Sequence, residues 1–158
     1  MDFNNLFNSI TFTSGVTLDN RLMVAPMTTR SAFENGMVTN DELDHYALLT
    51  GGVGAVITAC AYVTPEGKAF PGGFSAASDK MIPGLTKLAN TIKGKGSKAI
   101  LQIFHGGRMV PSKAIGGKQP LSASSIVALR DYADVPKEMT EGEIEEVIQG
   151  FYEATVEQ

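Results

Sequence analysis

The sequence predicts an α/β fold built on a parallel sheet. Three observations carry that prediction. Apolar runs of strand length at 21–27, 53–63 and 98–105 alternate with helix-period segments that open near Thr39, Pro83 and Thr140. A helix between successive strands is the crossover that parallel pairing requires. The second run, "VGAVITACAYV", is largely apolar with several β-branched residues, the pattern of a strand covered on both faces.

The elements follow in order. "SITFTSGVTLDNR" alternates polar and apolar residues on either side of Gly15 and reads as a hairpin. "RLMVAPM" is a short strand that must end before Pro26, which cannot donate to a ladder, so 25–28 forms its exit. Thr39 and Glu42 fit a capping box, with Leu43, Tyr46 and Ala47 at helical spacing and Gly51 and Gly52 as the stop. After the second strand and a glycine-rich loop, Pro83 opens a helix with Leu85, Leu88, Ala89 and Ile92 on one side, ended by Gly94. "KAILQIFH" is the third strand, and a polar, proline-bearing loop runs from Gly106 to Pro136. Thr140 and Glu143 make a second capping box, and Ile144, Val147, Ile148 and Phe151 give the third helix its apolar face. That pattern is still running at 153–158, and three parallel strands leave two open edges. The expectation is that 1–158 is a single-domain fragment of a larger fold.

Composition narrows the function classes. At 158 residues and 43% hydrophobic, the chain is long enough for one core. The net charge of −4 is scattered, with no basic stripe for a phosphate backbone, so nucleic acid is not expected as a partner. No apolar run approaches the ~18 residues of a membrane span and the start lacks signal-peptide character, so the expected address is the cytoplasm. One cysteine, Cys60, excludes an intrachain disulfide, and two histidines offer no zinc-ligand spacing; no metal site is expected.

Several motifs invite chemistry. "GGVGAV" precedes a strand, whereas a dinucleotide fingerprint follows one, and "GKGSK" and "GGKQP" lack phosphate-loop spacing. Cys60 and His105 could pair as nucleophile and base at neighbouring strand ends, or serve as an apolar filler and a structural hydrogen-bonder. On the third strand Gln102 shares a face with Ile100 and Phe104, while Leu101, Ile103 and His105 point the other way. With both faces covered, that amide must find partners, because an unmatched buried polar group costs ~1–3 kcal/mol. Two partners remain open: a neighbouring backbone group or water, or a planar heterocycle offering an adjacent donor and acceptor. Arg108 is either an anion anchor or a pin for its own loop, and Gly106 and Gly107 allow either positive φ or close backbone approach. No catalytic residue is assigned.

Ligands of open or closed α/β sheets sit at the carboxyl ends of the strands. Here those ends are 25–28, 58–62 and 102–106, and each breaks regular apolar character. The segments "LDNRLMVAPMTTRSA", "GVGAVITACAYVTPEGKAFPGG", "KAILQIFHGGR" and "EMTEGEIEEVIQGFYEAT" together resemble the N-terminal part of the Old Yellow Enzyme family, the FMN-dependent NAD(P)H:flavin oxidoreductases and ene-reductases. The likeness spans nearly the whole chain. It implies the N-terminal part of a (β/α)8 TIM barrel: the capping hairpin and about three of eight βα units, the barrel being incomplete in this chain. It implies FMN as cofactor, NADH or NADPH as reductant, a small-molecule electron acceptor such as an activated alkene, and ping-pong hydride transfer. By the same resemblance Ala25, Pro26, Met27 and Thr28 line the flavin, with Thr28 near its N5/O4 side, Cys60 stands where the family has Gly or Ala, and Gln102 pairs with the pyrimidine edge. Arg30 lies near the family's substrate- or flavin-touching position.

The family's substrate-anchoring pair follows the fourth strand, and its phosphate loops follow later ones, so the fragment is expected to be inactive alone. The alternative is a non-enzymatic half-barrel that self-associates, or pairs with a missing C-terminal half, through its open sheet edges. A different barrel enzyme such as an aldolase is disfavoured, since no lysine lies on the strand interiors for a Schiff base.

Overall fold

A computed structural model describes residues 3–156. The opening hairpin forms where alternation places it, β1 (Ile10–Thr11) pairing antiparallel with β2 (Thr17–Leu18) around the Gly15 turn. The strand β3 (Met23–Val24) stops two residues before Pro26, and 25–28 runs on without regular structure. Helix α1 (Asn40–Leu49) starts at Thr39, whose hydroxyl accepts the Glu42 N–H. Strand β4 (Ala55–Tyr62) follows, then the two-residue β5 (Phe74–Ser75), α2 (Ile82–Lys93) and β6 (Lys98–Phe104). The long loop after β6 holds two one-turn 3-10 helices and β7 (Leu121–Ser122), which pairs parallel with β8 (Lys137–Glu138). Helix α3 (Glu141–Val156) closes the described residues; the end of the helical run expected at 153–158 therefore lies partly outside them.

All strands of the main sheet are parallel, and β4 is its centre. β6 lies along one edge; β3 pairs with the start of β4 and β5 with its end on the other. β5 and the β7–β8 pair were not legible in the sequence, because two-residue bridges embedded in Gly- and Pro-rich loops carry no periodicity.

One face of this sheet is packed and the other is open. Val56, Ala59, Ala61 and Val63 of the central strand region join Leu88, Ile92, Tyr46, Phe74 and Ala154 in the core, with Ala99, Leu101 and Ile103 of β6 packed against it. Each fully buried leucine or isoleucine there contributes roughly 1.5–3 kcal/mol of transfer free energy. On the other face Ile100 and Gln102 are exposed and Cys60 is half-buried. The expectation that both faces of the sheet are covered is thus corrected: the helices lie on one side only, so Gln102 is not a buried amide.

The third helix is also rotated from the expected face. Val147, Gly150, Phe151 and Ala154 turn inward, whereas Ile144 and Ile148 are exposed, the latter at 62%. Gly150 explains this rotation: a Cβ there would stand 2.7 Å from Thr64 Cγ2 and 3.2 Å from the Val63 carbonyl oxygen, so the helix seats against the end of β4 through its smallest residues. The α3 capping box is complete, Thr140 Oγ1 accepting the Glu143 N–H and Glu143 Oε2 accepting the Thr140 N–H. The α1 box is only half made, for Glu42 turns its carboxylate elsewhere.

Two consequences are measurable. Gly150→Val gains some helix propensity but overfills the contact with Thr64, and we expect a net loss of about 1–2 kcal/mol in chemical denaturation. Glu143, held by the Lys137 ammonium at 2.6 Å and then by Thr140, has its carboxyl pushed down from 4.5 to about 2. A depressed carboxyl contributes stability that is present above its ordinary value and lost as pH falls toward 2. Far-UV circular dichroism should show α3 fraying across that window, and Lys137→Met should move its onset to higher pH.

Candidate active site

The exit of β3 runs on past Val24 beside β4, so that Thr28 and the carboxyl-terminal halves of β4 and β6 come together at one end of the sheet. Register decides what meets there. Ile57 pairs with Ile100, and the next partners are Cys60 with Gln102 and Tyr62 with Phe104. Between the first two pairs β4 carries one residue more than β6, a bulge at Thr58 and Ala59. Residues three apart on a regular strand face opposite ways. The bulge instead sets Ile57 and Cys60 on one face, with Ile100 and Gln102, while Val56 and Ala59 share the core side.

The exit of β3 completes the row. Thr28 Oγ1 lies 3.8 Å from Cys60 Sγ, and Cys60 is in register with Gln102. Ala25, Pro26, Met27 and Thr28 are exposed, Met27 at 52%. The Gln102 backbone N–H donates to Thr58 Oγ1 at 3.4 Å, but its side-chain amide makes no hydrogen bond among the described residues. Of the two partners left open for Gln102, a backbone partner within the sheet is therefore not what the structure contains.

The segment bearing Thr28 is held from beneath by α1. Glu42, fully buried, accepts the Thr29 hydroxyl and, at 3.2 Å, the Ser31 N–H through Oε1. Thr39 Oγ1 adds a bond to the Ser31 carbonyl at 2.8 Å. The second carboxylate oxygen of Glu42 is buried without a partner, beside a narrow crevice walled by Thr28, Thr29, Arg30, Ala59, Cys60 and Phe70. Tyr46, one turn along α1, accepts the Ala59 N–H at 2.6 Å. Burial pushes the Tyr46 phenol up from its ordinary range; the Ala59 N–H opposes this and the Glu42 charge adds to it. By spacing alone Glu42 is a cap and Tyr46 an apolar-face residue. The available signal for Tyr46 was its hydroxyl, which a buried tyrosine has to satisfy.

Arg30 adopts φ +61°, and its guanidinium lies 5.3 Å from the centre of the Phe70 ring, which stacks on Phe104 at 6.0 Å. Arg108 is exposed and makes no hydrogen bond or ion pair among the described residues, so the loop-pin expectation is not met. The two glycines before it divide the two roles: Gly106 gives close approach, with a Cβ 2.6 Å from Val110 Cγ2, and Gly107 supplies φ +53°. His105 packs its ring on Gly67 and accepts the Gly107 N–H at Nδ1, while Cys60 looks onto the open face. Burial lowers the His105 pKa against the pull of Glu66. His105 thus turns to the Gly67 loop, with its Nε2 buried without a partner, while Cys60 lies with Gln102 on the open face, so the structure does not bring the two together as nucleophile and base.

The donor set on the open face suits a flat, polar-edged ring. It offers a free amide with both donors and an acceptor, a hydroxyl, and exposed apolar atoms of Ala25, Pro26 and Met27. Residues 5–157 match the model of the NADH:flavin oxidoreductase / NADH oxidase family. The chain belongs to that family. Its members are FMN-dependent oxidoreductases using NADH or NADPH. The chain is 52% identical over 149 residues to an NADH:acrylate oxidoreductase of Vibrio harveyi, covering 94% of this chain and 15% of that protein. It is 43% identical to a probable NADH-dependent flavin oxidoreductase of Bacillus subtilis, with 95% and 40% covered. An old yellow enzyme homologue from Zymomonas mobilis superposes with a TM-score of 0.85 at 25% identity, over 95% of this chain and 44% of that one. Morphinone reductase in complex with tetrahydroNAD gives 0.86 at 19% identity, a likeness of fold, over 97% and 46%. The chain thus spans less than half the length of these relatives, and its fold is the N-terminal part of their barrel.

If Glu42 anchors the exit of β3 as described, Glu42→Ala removes two hydrogen bonds to a buried charged group. We expect a loss of about 2–4 kcal/mol in equilibrium denaturation, with Glu42→Gln less damaging because one acceptor remains.

Proposed function

We propose that residues 1–158 form a single-domain fragment contributing part of the flavin cradle of an NAD(P)H-dependent FMN oxidoreductase, one that reduces activated alkenes or related small acceptors by a ping-pong route in the cytoplasm. The observation that carries this reading is the row of Thr28, Cys60 and Gln102 on the uncovered face of the sheet, at its carboxyl edge, with the Gln102 amide free.

When bound, FMN supplies two-electron transfer between a reduced nicotinamide and the acceptor. Gln102 holds the pyrimidine edge, its NH2 donating and its carbonyl accepting. Thr28 presents a hydroxyl that can donate or accept, toward the N5/O4 side. Ala25, Pro26 and Met27 supply apolar contact, and Cys60 forms the floor between Thr28 and Gln102. On the family resemblance the phosphate and acceptor contacts would come from elements beyond this chain, so we expect the fragment to bind flavin weakly and not to turn over alone. The names of the Vibrio and Klebsiella pneumoniae relatives give acrylate and fumarate as acceptors of proteins of which this chain covers 15% and 16%; the acceptor here is therefore proposed only as a class.

A second reading, self-association, is favoured by one observation: Ile144, Ile148, Tyr152 and Val156 form an exposed apolar stripe on α3. Sedimentation of the purified chain tests it, a strictly monomeric state counting against it.

For the main reading, FMN fluorescence titration of the chain and of Gln102→Leu is decisive. We expect quenching by the former and roughly tenfold weaker binding by the latter, with no NADH consumption in either. Equal affinities would overturn the role of Gln102; sustained NADH oxidation would overturn the inactivity of the fragment.

A further inference from the structure

The extra residue in β4 raises a problem that its own ladder cannot solve. A bulge leaves one backbone N–H without its cross-strand acceptor. Here the amide is that of Ala59, which is 5% exposed, and a buried N–H left unpaired is strongly disfavoured. Its acceptor is Tyr46 Oη at 2.6 Å, from a side chain 2% exposed on α1. Thr58 ties the other loose groups, its Oγ1 donating to the Ala59 carbonyl at 2.9 Å and accepting the Gln102 N–H at 3.4 Å.

The offset decides which side chains reach the open face. Were β4 regular between Ile57 and Cys60, Cys60 would turn to the helix layer and Ala59 to the open side, since a one-residue slip reverses every side chain beyond it. The row of Thr28, Cys60 and Gln102 would then lose its middle member. Tyr46 and Glu42 stand four apart on α1, so one helix face holds both the bulge of β4 and the exit of β3.

We propose that Tyr46 is the positioning residue of the candidate flavin face: its hydroxyl oxygen takes the Ala59 N–H, stabilises the bulge and thereby turns Cys60 toward Thr28 and Gln102. The value of that face for catalysis rests on the flavin reading above; the geometry asserted for Ala59 and Cys60 does not.

The test uses the 158-residue chain, amide hydrogen exchange and alkylation of Cys60, its only cysteine. In the unaltered protein the Ala59 N–H is expected to be protected like the ladder amides of Val56 and Ala61; exchange at the rate of an open loop would overturn the proposal without any variant. Tyr46→Phe keeps the ring and removes only the hydroxyl. It should deprotect Ala59 by about tenfold or more relative to Val56 and Ala61, and slow iodoacetamide labelling of Cys60 by about tenfold as the thiol turns inward. Unchanged protection and unchanged labelling would overturn the proposal. Leu88→Ala, which loosens the same core, should lower protection along β4 evenly; selective loss at Ala59 there would assign the effect to the core and not to the hydroxyl. If Tyr46→Phe unfolds, every amide exchanges and the measurement on the unaltered protein decides. An FMN titration runs as a separate arm. Failure of both proteins to bind FMN counts against the flavin reading alone, while the Ala59 and Cys60 readouts still decide the role of Tyr46.

Discussion

Strand β4 is paired on both edges and has to accommodate one residue more than its neighbour, and the rest of the structure is arranged around that constraint. Three strands depend on it for their ladder partners, so it cannot shift to relieve the mismatch. The mismatch is resolved locally, with side chains standing in for missing backbone partners: a tyrosine hydroxyl for Ala59 and a threonine hydroxyl for Gln102. Hydroxyls suit this role because each can accept one bond and donate another while adding little bulk to a packed layer.

Small residues make that layer thin enough for the arrangement to work. Ala55, Ala59 and Ala61 are buried on or beside β4, and α3 meets the end of the strand through Gly150 and Ala154. Helices approach closely, which brings Tyr46 within hydrogen-bond reach of the strand backbone. Beside Val147 and Phe151, which turn inward, the other large apolar residues of α3 lie on its outer side, where Ile144, Ile148, Tyr152 and Val156 recur at intervals of four and remain exposed. Close packing at the strand and an open apolar stripe on the helix are thus two results of one choice of face.

Alternation and helix period are enough to read the hairpin, the strands β3, β4 and β6, the three helices and the parallel class, because each is a local pattern. The same patterns correctly assigned Gln102 to one face with Ile100 and Phe104. What they could not reveal was whether that face was covered, since coverage depends on where helices pack and not on the strand itself. Nor could they locate the bulge: "VGAVITACAYV" is apolar at every position that a slip would exchange, so sequence pattern is silent on register there. The face of α3 departs in part from the hydrophobic one for a related reason. Hydrophobicity favoured Ile144 and Ile148, but steric fit at Gly150 determined the contact. Glu42 illustrates the limit of a motif: spacing from Thr39 matches a capping box, yet the carboxylate turns to the Thr29 hydroxyl and the Ser31 N–H and leaves the Thr39 N–H.

The candidate site therefore takes its shape from residues that do not face it. Thr28 in the exit of β3, Cys60 on β4 and Gln102 on β6 come from three separate segments, and none is held by a strong bond to another; the contact between Thr28 and Cys60 is a long hydroxyl–thiol pair. Left to themselves, exposed side chains at strand ends would sample several rotamers and offer a ligand little order. Their backbones, however, are fixed from the covered side, 29–31 by Glu42 and Thr39 and the β4 bulge by Tyr46 and Thr58. Polar groups placed in the core are expensive unless fully matched, and they are placed here where matching them also sets the register of the open face. The free edge of the Gln102 amide follows from the same division: its backbone is anchored through Thr58, which leaves the side chain as the part available to a partner.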